Sequence, residues 1–350
     1  MKDESAGSQS RRVASKRYVS ATDVARKAGV SQAAVSRAFT DGASVSLKMR
    51  AKVMVAADEL GYRPSIIPRI MLTNRSSLIA VVSSGLNHPF YAAIVDRFSV
   101  EIQKRGNTVL LFSVQDREYM DEIIPRIRGY QVDGIISASS ISSPAVAESC
   151  AKMNVPVVLF NSRLRNTWVN SVNSDNVAGG RDVASLFIRK GATRFGFIAG
   201  RKGNMSSEDR LAGFVGRLVE EGISDLVIEY GNYSFEGGSQ AMRKLLARDR
   251  RPNAIFCAND LMAIGALEIA RSEFKIDVPA SLLIAGFDDI PSASWPSINL
   301  TSIRPNGDRM VSEALDILEG SLSSPGEGGL LKIVPVHIIE RLSTAGLSER

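Results

Sequence analysis

Four side chains between residues 32 and 37 have the types and spacing that recognise the edges of nucleic-acid bases. Gln32, Ala33, Ser36 and Arg37 recur at positions i, i+1, i+4 and i+5, so a helix would place them on one face. A glutamine amide can form two hydrogen bonds with adenine, and an arginine guanidinium can form two with guanine. The chemistry predicted for this face is therefore base reading in a major groove.

The rest of the chain offers no comparable set of catalytic or metal-binding groups. Its two histidines, His88 and His337, have no second histidine or cysteine at metal-ligand spacing. A GxSxG elbow, a P-loop and a GxGxxG loop are all missing. We therefore expect no enzyme, metal or cofactor, although an α/β fold alone does not exclude catalysis. Cys150 and Cys257 lie in or beside apolar runs and are expected to be buried free thiols in a reducing compartment.

Three short helices are predicted to hold the base-reading face in place. Capping residues and glycines mark the starts and stops of the helices: Thr22 or Asp23, Ser31 and Ser46 as N-caps, Gly29 and Gly61 as stops. The second helix runs from Gln32 to Phe39, with Val35 and Phe39 facing inward. A glycine turn between two short helices that have small residues at their crossing favours a helix-turn-helix.

The positive charge of the chain is concentrated at this end. The net charge is +6, but residues 1–77 hold 14 basic and 6 acidic residues, whereas the remainder holds 29 basic and 31 acidic residues. A basic head on a nearly neutral body indicates that the head meets a polyanion. Residues 1–18 are small, polar and basic, without apolar periodicity, and are predicted to form a disordered tail.

The segment from Asp23 to Ser65, DVARKAGVSQAAVSRAFTDGASVSLKMRAKVMVAADELGYRPS, resembles the headpiece of the lac repressor/galactose repressor (LacI/GalR) family. The resemblance implies a DNA-binding domain at 19–64. It also implies these DNA-contacting positions: Thr22, Ser31, Gln32, Ala33, Ser36, Arg37, Arg50 and Tyr62. Ala33 departs from the polar residues common at its position, so it could contact a thymine methyl but cannot donate a hydrogen bond.

The resemblance also implies a hinge at 65–77 that folds as a short helix on the operator and wedges an apolar side chain into the minor groove. Arg69 and Met71 are the matching contact residues, and Met71 stands where the family usually has leucine. Pro68 stands where alanine is usual, and proline fits only the first turn of a helix. A shortened hinge helix that begins at Pro68 is expected, with an ordinary linker as the alternative.

Residues 78–345 alternate apolar strands with amphipathic helices in two successive series. The predicted strands begin at Leu78, Thr108, Gly134, Val155, Arg194, Leu226, Ala254 and Ser281. Predicted helices lie near 90–105, 117–129, 144–152, 176–190, 207–222, 235–248 and 260–272. This alternation predicts parallel sheets covered on both faces. The predicted fold class is thus an all-α helix-turn-helix headpiece plus an α/β two-lobed, periplasmic-binding-protein-like domain, with a cleft at the carboxyl ends of the strands.

The family resemblance extends through this region and implies an effector-binding and dimerisation domain. It places lobe 1 at about 78–175 and 302–328, and lobe 2 at about 176–301 and 329–345. Candidate effector-binding residues, each with a surface or capping role as its alternative, are His88, Phe90, Ser206, Arg210, Tyr233, Asn259 and Asp288. One fixed cation and one acid suit a sugar, a sugar acid or a similar polar metabolite.

These features together predict a cytoplasmic homodimeric regulator whose affinity for a pseudo-palindromic double-stranded operator is controlled by a small molecule. Repression is favoured over activation by the family resemblance alone. A secreted solute receptor would share the body, but it should begin with a signal peptide and has no use for residues 22–39. The uncharged stretch 76–95 contains Gly85, Asn87 and Pro89, so it is not expected to span a membrane.

Overall fold

The structure is a computed structural model and describes residues 19–40, 42–64, 75–83, 86–114, 123, 126–127, 129–138, 155–163, 169–323 and 329–347. The chain divides into two compact units between Ser76 and Ser77. The predictions for the tail at 1–18, for Pro68, Arg69 and Met71 of the hinge, and for Cys150 lie outside the described residues. The helices predicted near 117–129 and 144–152 lie mostly or wholly outside them as well.

The smaller unit contains three helices, α1 (Ala21–Ala28), α2 (Gln32–Ala38) and α3 (Leu47–Leu60). Neither Thr22 nor Asp23 is the cap of α1, because Ser20 takes that position. The Ser20 hydroxyl accepts a hydrogen bond from Asp23 N at 3.3 Å, and the Asp23 carboxylate accepts one from Ser20 N at 3.0 Å. This reciprocal arrangement satisfies two N–H groups that would otherwise lack partners, so it starts the helix earlier than predicted.

The other predicted caps and glycine stops of this unit are confirmed, and α2 ends one residue earlier than predicted, at Ala38. Ser31 and Ser46 cap α2 and α3, and Gly29 and Gly61 end α1 and α3 with φ values of 61° and 64°. A small core buries one face of each helix, and its most completely buried members are Val24, Val35 and Val53. The predicted trihelical unit therefore forms from residues 19–64.

Twelve strands and six further helices build the described part of the larger unit. The strands are β1 (Leu78–Ser83), β2 (Thr108–Ser113), β3 (Gly134–Ala138), β4 (Val157–Phe160), β5 (Asn170–Ser174), β6 (Phe195–Ala199), β7 (Leu226–Tyr230), β8 (Ala254–Cys257), β9 (Leu283–Phe287), β10 (Thr301–Pro305), β11 (Leu331–Val334) and β12 (Val336–Ile339). The helices are α4 (Pro89–Lys104), α5 (Asn176–Arg189), α6 (Met205–Glu220), α7 (Phe235–Leu246), α8 (Asp260–Ser272) and α9 (Gly307–Ser323).

The strands form two six-stranded sheets with corresponding strand orders. The first has the order β11-β5-β4-β3-β1-β2 and the second the order β12-β10-β9-β8-β6-β7. Neighbouring strands are parallel except β12, which runs antiparallel to β10. We call the first sheet with α4 and α9 lobe 1, and the second sheet with α5 to α8 lobe 2. The predicted fold class is confirmed.

The chain passes between the lobes three times, and two of the predicted boundaries need correction. The first crossing follows β5 near residue 175, as predicted. The second follows β10, because residues 301–305 pair with β9 of the second sheet, so the boundary predicted at 302 lies at about 306. The third lies near Pro335, because residues 331–334 pair with β5 of the first sheet, whereas the boundary was predicted at 329.

Four strands of the sheets were not predicted: β5, β10, β11 and β12. Strand β5 has the sequence NSVNS, yet all five of its residues are buried. Asn170 finds partners distant in sequence, since its Nδ2 donates to Ser321 Oγ at 3.1 Å and its Oδ1 accepts from Leu330 N at 3.0 Å. A buried strand made mostly of polar residues carries no apolar signal in its own sequence.

Candidate functional site

Helix α2 exposes the four residues predicted to read bases. Gln32, Ala33, Ser36 and Arg37 are all exposed, whereas Ala34, Val35 and Ala38 on the opposite side are buried. Arg37 forms no ion pair with another described residue. The face is therefore available for a ligand outside the helical unit, as the periodicity indicated.

The remaining DNA-contact candidates of the headpiece have differing surroundings. Thr22 is exposed on the first turn of α1. Ser31 caps α2 by accepting from Ala34 N at 3.2 Å, and Arg50 Nη2 donates to Thr40 O at 3.3 Å. Tyr62 is only 8% exposed and packs edge-on against Phe39. Tyr62 therefore contributes to the headpiece core, where burial also raises the pKa of its hydroxyl.

The second candidate site lies in the larger unit, in the cleft between the carboxyl ends of the two sets of strands. Lobe 2 contributes Arg210 from α6, and this side chain is 2% exposed. Arg210 Nε donates to Asn176 Oδ1 at 2.8 Å, and its Nη1 donates to Ala258 O. The guanidinium carbon lies 3.5 Å from the centroid of the Phe287 ring. Contacts on three sides fix this cation in the cleft wall.

Asp288 faces Arg210 across the end of β9. Arg210 Nη2 lies 3.9 Å from Asp288 Oδ1. Asp288 and Asp289 have φ values of 109° and 50°, so the turn that presents the carboxylate is strained. The buried Asp260 carboxylate holds this turn by accepting from Ile290 N at 2.9 Å and from the hydroxyl of Ser302 at 2.6 Å.

Burial dominates the titration of the cleft groups. It raises the pKa of Asp288 to about 7, against the opposing effect of the Arg210 charge. Burial, together with Arg210, lowers the pKa of His88 to about 4. Near neutral pH the imidazole is therefore neutral, and the Asp288 carboxyl is divided between its two protonation forms. The cleft can both donate hydrogen bonds to a polar ligand and accept them from it.

His88 precedes α4 in lobe 1 and contacts lobe 2 directly. Its Nε2 lies 2.7 Å from Asn259 Nδ2, and Asn259 Oδ1 is occupied as an acceptor from Met262 N at 3.0 Å. Since the Asn259 amide nitrogen is a donor, His88 Nε2 must accept, and we assign the ring proton to Nδ1. Among the described residues that buried Nδ1 has no hydrogen-bond partner. A buried donor without a partner is the kind of group that a bound ligand would satisfy.

Tyr233 and Ser206 complete the set of predicted residues in the cleft. Tyr233 OH donates to Asn204 Oδ1 at 2.6 Å, and Ser206 Oγ donates to Asn161 O at 3.1 Å. Tyr233 has a φ of 64°, and a Cβ on Gly200 would lie 2.2 Å from its ring, so the aromatic side chain needs glycine beneath it. Burial raises the pKa of the Tyr233 hydroxyl and keeps it a neutral donor.

A cavity of about 400 Å³ lies beside Asp288, between the start of α4 and the turn after β9. Phe90, which is buried in the first turn of α4, forms part of its wall together with Asp288. The remaining lining comes from the first half of α4 in lobe 1, from the turn after β9, from residues 304–308 at the end of β10 and after it, and from His337 of β12. The volume suits a small metabolite. Among the described residues no cluster of His, Cys, Asp or Glu could hold a metal ion.

Asp288→Asn should alter how the stability of the larger unit depends on pH. Between the ordinary Asp value of 3.8 and the folded pKa of about 7, the folded chain keeps a proton that the unfolded chain has lost. The stabilisation from Asp288 is therefore present below pH 4 and declines as pH rises toward 7, by at most about 1.4 kcal/mol per pH unit. Urea unfolding from pH 4.5 to 7.5 should show the wild-type free energy falling relative to the variant.

His88→Gln should change the pH dependence of the unfolding free energy in the opposite direction. The folded pKa of about 4 lies below the ordinary value of 6.5, so the unfolded chain binds the extra proton. The wild-type free energy should rise relative to this variant between pH 4 and 6.5. If the difference in unfolding free energy between the wild type and either variant does not change over its pH range, our assignment of that group's titration is wrong.

Comparison with known proteins identifies the two units. Residues 11–65 match the bacterial regulatory proteins of the lacI family, and residues 184–344 match a periplasmic binding protein-like domain. The HTH-type transcriptional repressor CytR of Escherichia coli (strain K12) is 32% identical over 333 residues, which are 93% of this chain and 96% of the relative. The chain belongs to the lacI family of bacterial regulatory proteins.

Further relatives agree with this assignment. The HTH-type transcriptional regulator CelR of Thermobifida fusca is 29% identical over 329 residues, 91% of this chain and 96% of the relative. A structure of the lac repressor dimer bound to operator and the anti-inducer ONPF has a TM-score of 0.85 at 27% identity, covering 94% of this chain and 99% of that one. A CelR–cellobiose complex has a TM-score of 0.70 at 27% identity, covering 93% and 99%. The lacI-family chain is a DNA-binding transcription regulator.

Several cleft residues of this lacI-family regulator were not predicted from the sequence: Tyr91, Asn161, Asn176 and Phe287. Tyr91 packs edge-on against His88 and Phe90. Burial raises the pKa of its hydroxyl. Asn161 Oδ1 is buried without a hydrogen-bond partner among the described residues. Asn161 follows β4 directly, so a polar residue at the carboxyl end of an apolar strand was the available signal.

Proposed function

We propose that this regulator is a cytoplasmic homodimer that represses transcription from a pseudo-palindromic operator, with the effector cleft controlling its operator affinity. We further propose that the effector is a sugar or a related polyhydroxylated metabolite. The observation that supports this most strongly is the buried cleft chemistry. The Asp288 carboxylate, which lines the cavity, lies 3.9 Å from Arg210 Nη2 and 3.6 Å from His88 Nε2, and His88 Nδ1 has no hydrogen-bond partner among the described residues.

Sugar hydroxyls match these groups because each hydroxyl both donates and accepts hydrogen bonds. Arg210 and His88 Nδ1 supply donors, whereas Asp288 and Asn161 Oδ1 supply acceptors. The names of relatives point the same way: the ribose operon repressor of E. coli (strain K12) is 29% identical over 307 residues, and CelR was solved with cellobiose. The aromatic rings of Phe90 and Tyr233 would supply apolar surface for a sugar ring or a base.

The mechanism rests on the two-lobed architecture. A ligand that contacts both lobes favours one angle between them, and it shifts the population by its difference in affinity for the two arrangements. We propose that the lobe angle sets the separation of the two hinges at 65–77 in the dimer, and so their ability to fold on DNA with Arg69 and Met71 at the operator. Binding, rather than turnover, is the proposed role of the cleft, since the relatives are transcription regulators.

None of the helices in the described ranges combines the length and the apolar character that a membrane span requires.

Arg37→Ala should relax sequence discrimination at one base position of each half-site. The exposed guanidinium on α2 can form a bidentate contact with guanine, and its loss should cost about 1–3 kcal/mol at that position. Binding to a library of single-base operator variants would measure the change. Arg26→Ala is the matched control, since Arg26 is an exposed arginine on α1 outside the reading face. Uniform weakening on all sequences would exclude base reading by Arg37.

A thermal-shift screen of the purified regulator tests the effector class. Sugars, sugar acids, phosphosugars and nucleobases should be screened, and each stabilising compound should then be titrated against the regulator on its operator. We expect at least one polyhydroxylated compound to raise the melting temperature and to change operator affinity. A compound that stabilises the protein without altering operator binding would contradict the coupling. Turnover of any compound would contradict the role as a pure receptor.

A further inference from the structure

We propose that Arg163 and Asp209 form an ion pair across the cleft that sets the balance between closed and open lobes. The inference rests on the proposed function only where it concerns the effector response. The pair itself is a feature of the larger unit. Neither residue belongs to the set predicted to contact the effector.

The two residues belong to different lobes. Arg163 follows β4 of lobe 1, and Asp209 lies on α6 of lobe 2, one residue before Arg210. Arg163 Nη2 lies 2.7 Å from Asp209 Oδ1. The side chains are 31% and 20% exposed, so water screens the pair less than a fully exposed one. Opening the cleft would have to separate these charges.

The charge of Arg163 stabilises the ionised form of the Asp209 carboxylate. Burial raises the pKa of Asp209, and the negative charge of the adjacent Glu208 acts in the same direction. The charges of Arg163 and Arg210 oppose both effects. Arg210 is already fixed by Asn176 and Ala258, so Arg163 is the cation that directly hydrogen-bonds the Asp209 carboxylate. Closed lobes therefore gain a charge-assisted contact that open lobes lack.

Other polar contacts between described residues of the two lobes use cleft residues. His88 Nε2 lies 2.7 Å from Asn259 Nδ2 and 3.6 Å from Asp288 Oδ2, and Ser206 Oγ donates to Asn161 O. A ligand that engages these side chains would compete with their contacts to one another. The Arg163–Asp209 pair can persist while a ligand fills the cleft. It can therefore adjust closure without altering ligand chemistry.

The ion pair should therefore affect the effector concentration at which the regulator responds. The stabilisation expected from a half-buried ion pair lies at the upper end of the range for surface pairs. A contribution of that size changes the closed-to-open ratio by about fivefold. An effector that binds the closed arrangement would lose apparent affinity by up to the same factor when the pair is removed. The direct contacts of the ligand would be unchanged.

Single-molecule fluorescence transfer between the lobes of the full chain tests the proposal. Dyes would be placed on Gly320→Cys of α9 and Ser224→Cys before β7, in a Cys150→Ser background. A Cβ at Gly320 meets nothing within 4 Å, Ser224 is exposed, and Cys257 is fully buried. Mixing labelled chain with an excess of unlabelled chain restricts transfer to one protomer.

The test compares Asp209→Asn with a matched pair inside one lobe. Glu220→Gln removes the Arg181–Glu220 pair, which also measures 2.7 Å but joins α5 and α6 within lobe 2. We expect Asp209→Asn to lower the closed-to-open ratio about fivefold, Glu220→Gln to leave it unchanged, and the charge swap Arg163→Asp with Asp209→Arg to recover most of the loss. Wild-type distances in Asp209→Asn, or equal changes in both single variants, would overturn the proposal.

The lobe distance needs neither operator nor effector, so the two proposals fail separately. If Asp209→Asn opens the lobes but no operator is bound, the ion pair stands and the regulatory proposal fails. If the operator and effector behave as proposed but the distances do not move, the ion-pair proposal is wrong. The fluorescence experiment decides the pair in either case.

Discussion

Arg210→Gln is expected to abolish the effector response at concentrations that saturate the wild-type regulator, while operator binding without effector is retained. The side chain is a cation of the cleft wall that is fixed by contacts on three sides. Glutamine cannot keep the contacts to Asn176, Ala258 and the Phe287 ring together. The loss of charge-assisted bonds to the ligand should weaken effector binding at least about 100-fold.

The Arg210→Gln substitution should also change the pKa of the Asp288 carboxyl. Arg210 lowers the pKa of that carboxyl against the effect of burial, so its removal should drive the pKa further upward. Near neutral pH, Asp288 would then be protonated and would accept hydrogen bonds from ligand hydroxyls less well. Two groups of the cleft are therefore impaired by one change, which is why the expected effect exceeds that of an ordinary hydrogen-bond deletion.

Calorimetric titration with an effector from the screen would measure the affinity, and circular dichroism would check the fold. Arg217→Gln is the matched control, because Arg217 lies on the same helix but pairs with Glu220 and Glu221 at the surface. A response of Arg210→Gln at wild-type effector concentrations would show that the ligand binds without this guanidinium. A lost response in Arg217→Gln as well would indicate a general defect of α6.

Gly213→Ala is expected to destabilise the larger unit by about 3 kcal/mol. Helices α5 and α6 approach each other closely enough that a Cβ on Gly213 would lie 2.0 Å from the backbone oxygen of Val177. A Cβ on Gly180 would likewise lie 2.1 Å from the backbone oxygen of Arg210. Backbone atoms cannot rotate away from such a contact, so the methyl group must push the two helices apart.

The effect should reach the cleft, because α6 carries Arg210 and α5 begins with its partner Asn176. Separating the helices would stretch the 2.8 Å bond between Arg210 Nε and Asn176 Oδ1. We therefore expect weaker effector binding in addition to a lower unfolding midpoint. Scanning calorimetry of the full chain would report the transition of the larger unit.

Gly216→Ala is the control for this substitution. It is the same change, three residues further along α6, where a Cβ would come only within 4.0 Å of an Arg181 side-chain nitrogen. Alanine should raise stability there by up to about 1 kcal/mol, since it restricts the unfolded chain more than glycine does. If Gly213→Ala were as stable as Gly216→Ala, the close backbone packing of α5 on α6 would be disproved.

The headpiece could be predicted almost entirely from its sequence. Its contacts are local, and its caps, glycine turns and apolar periodicity act within a few residues of each other. The exposed face of α2 follows directly from helical spacing. The cap of α1 was missed because Ser20 and Asp23 satisfy each other, whereas Thr22 or Asp23 had been predicted as the cap.

The cleft was predicted only in part, and mainly through family resemblance. Arg210, Asp288, Asn259 and His88 were placed in it, but their mutual contacts depend on how the two sheets face each other. No spacing in the sequence brings residue 88 to residue 259, or residue 163 to residue 209. Those approaches arise from three chain crossings, two of which were misplaced by about four to six residues.

The amino-acid order was sufficient for the class of each element, the DNA-reading helix and the two-lobed plan, because these depend on short-range periodicity and on which faces must be buried. Three-dimensional packing alone revealed the buried polar strand β5, the strained turn at Asp288 and the ion pair between Arg163 and Asp209. Each of these is stabilised by groups distant in sequence. Their free energies therefore belong to the assembled fold and leave no pattern in any single segment.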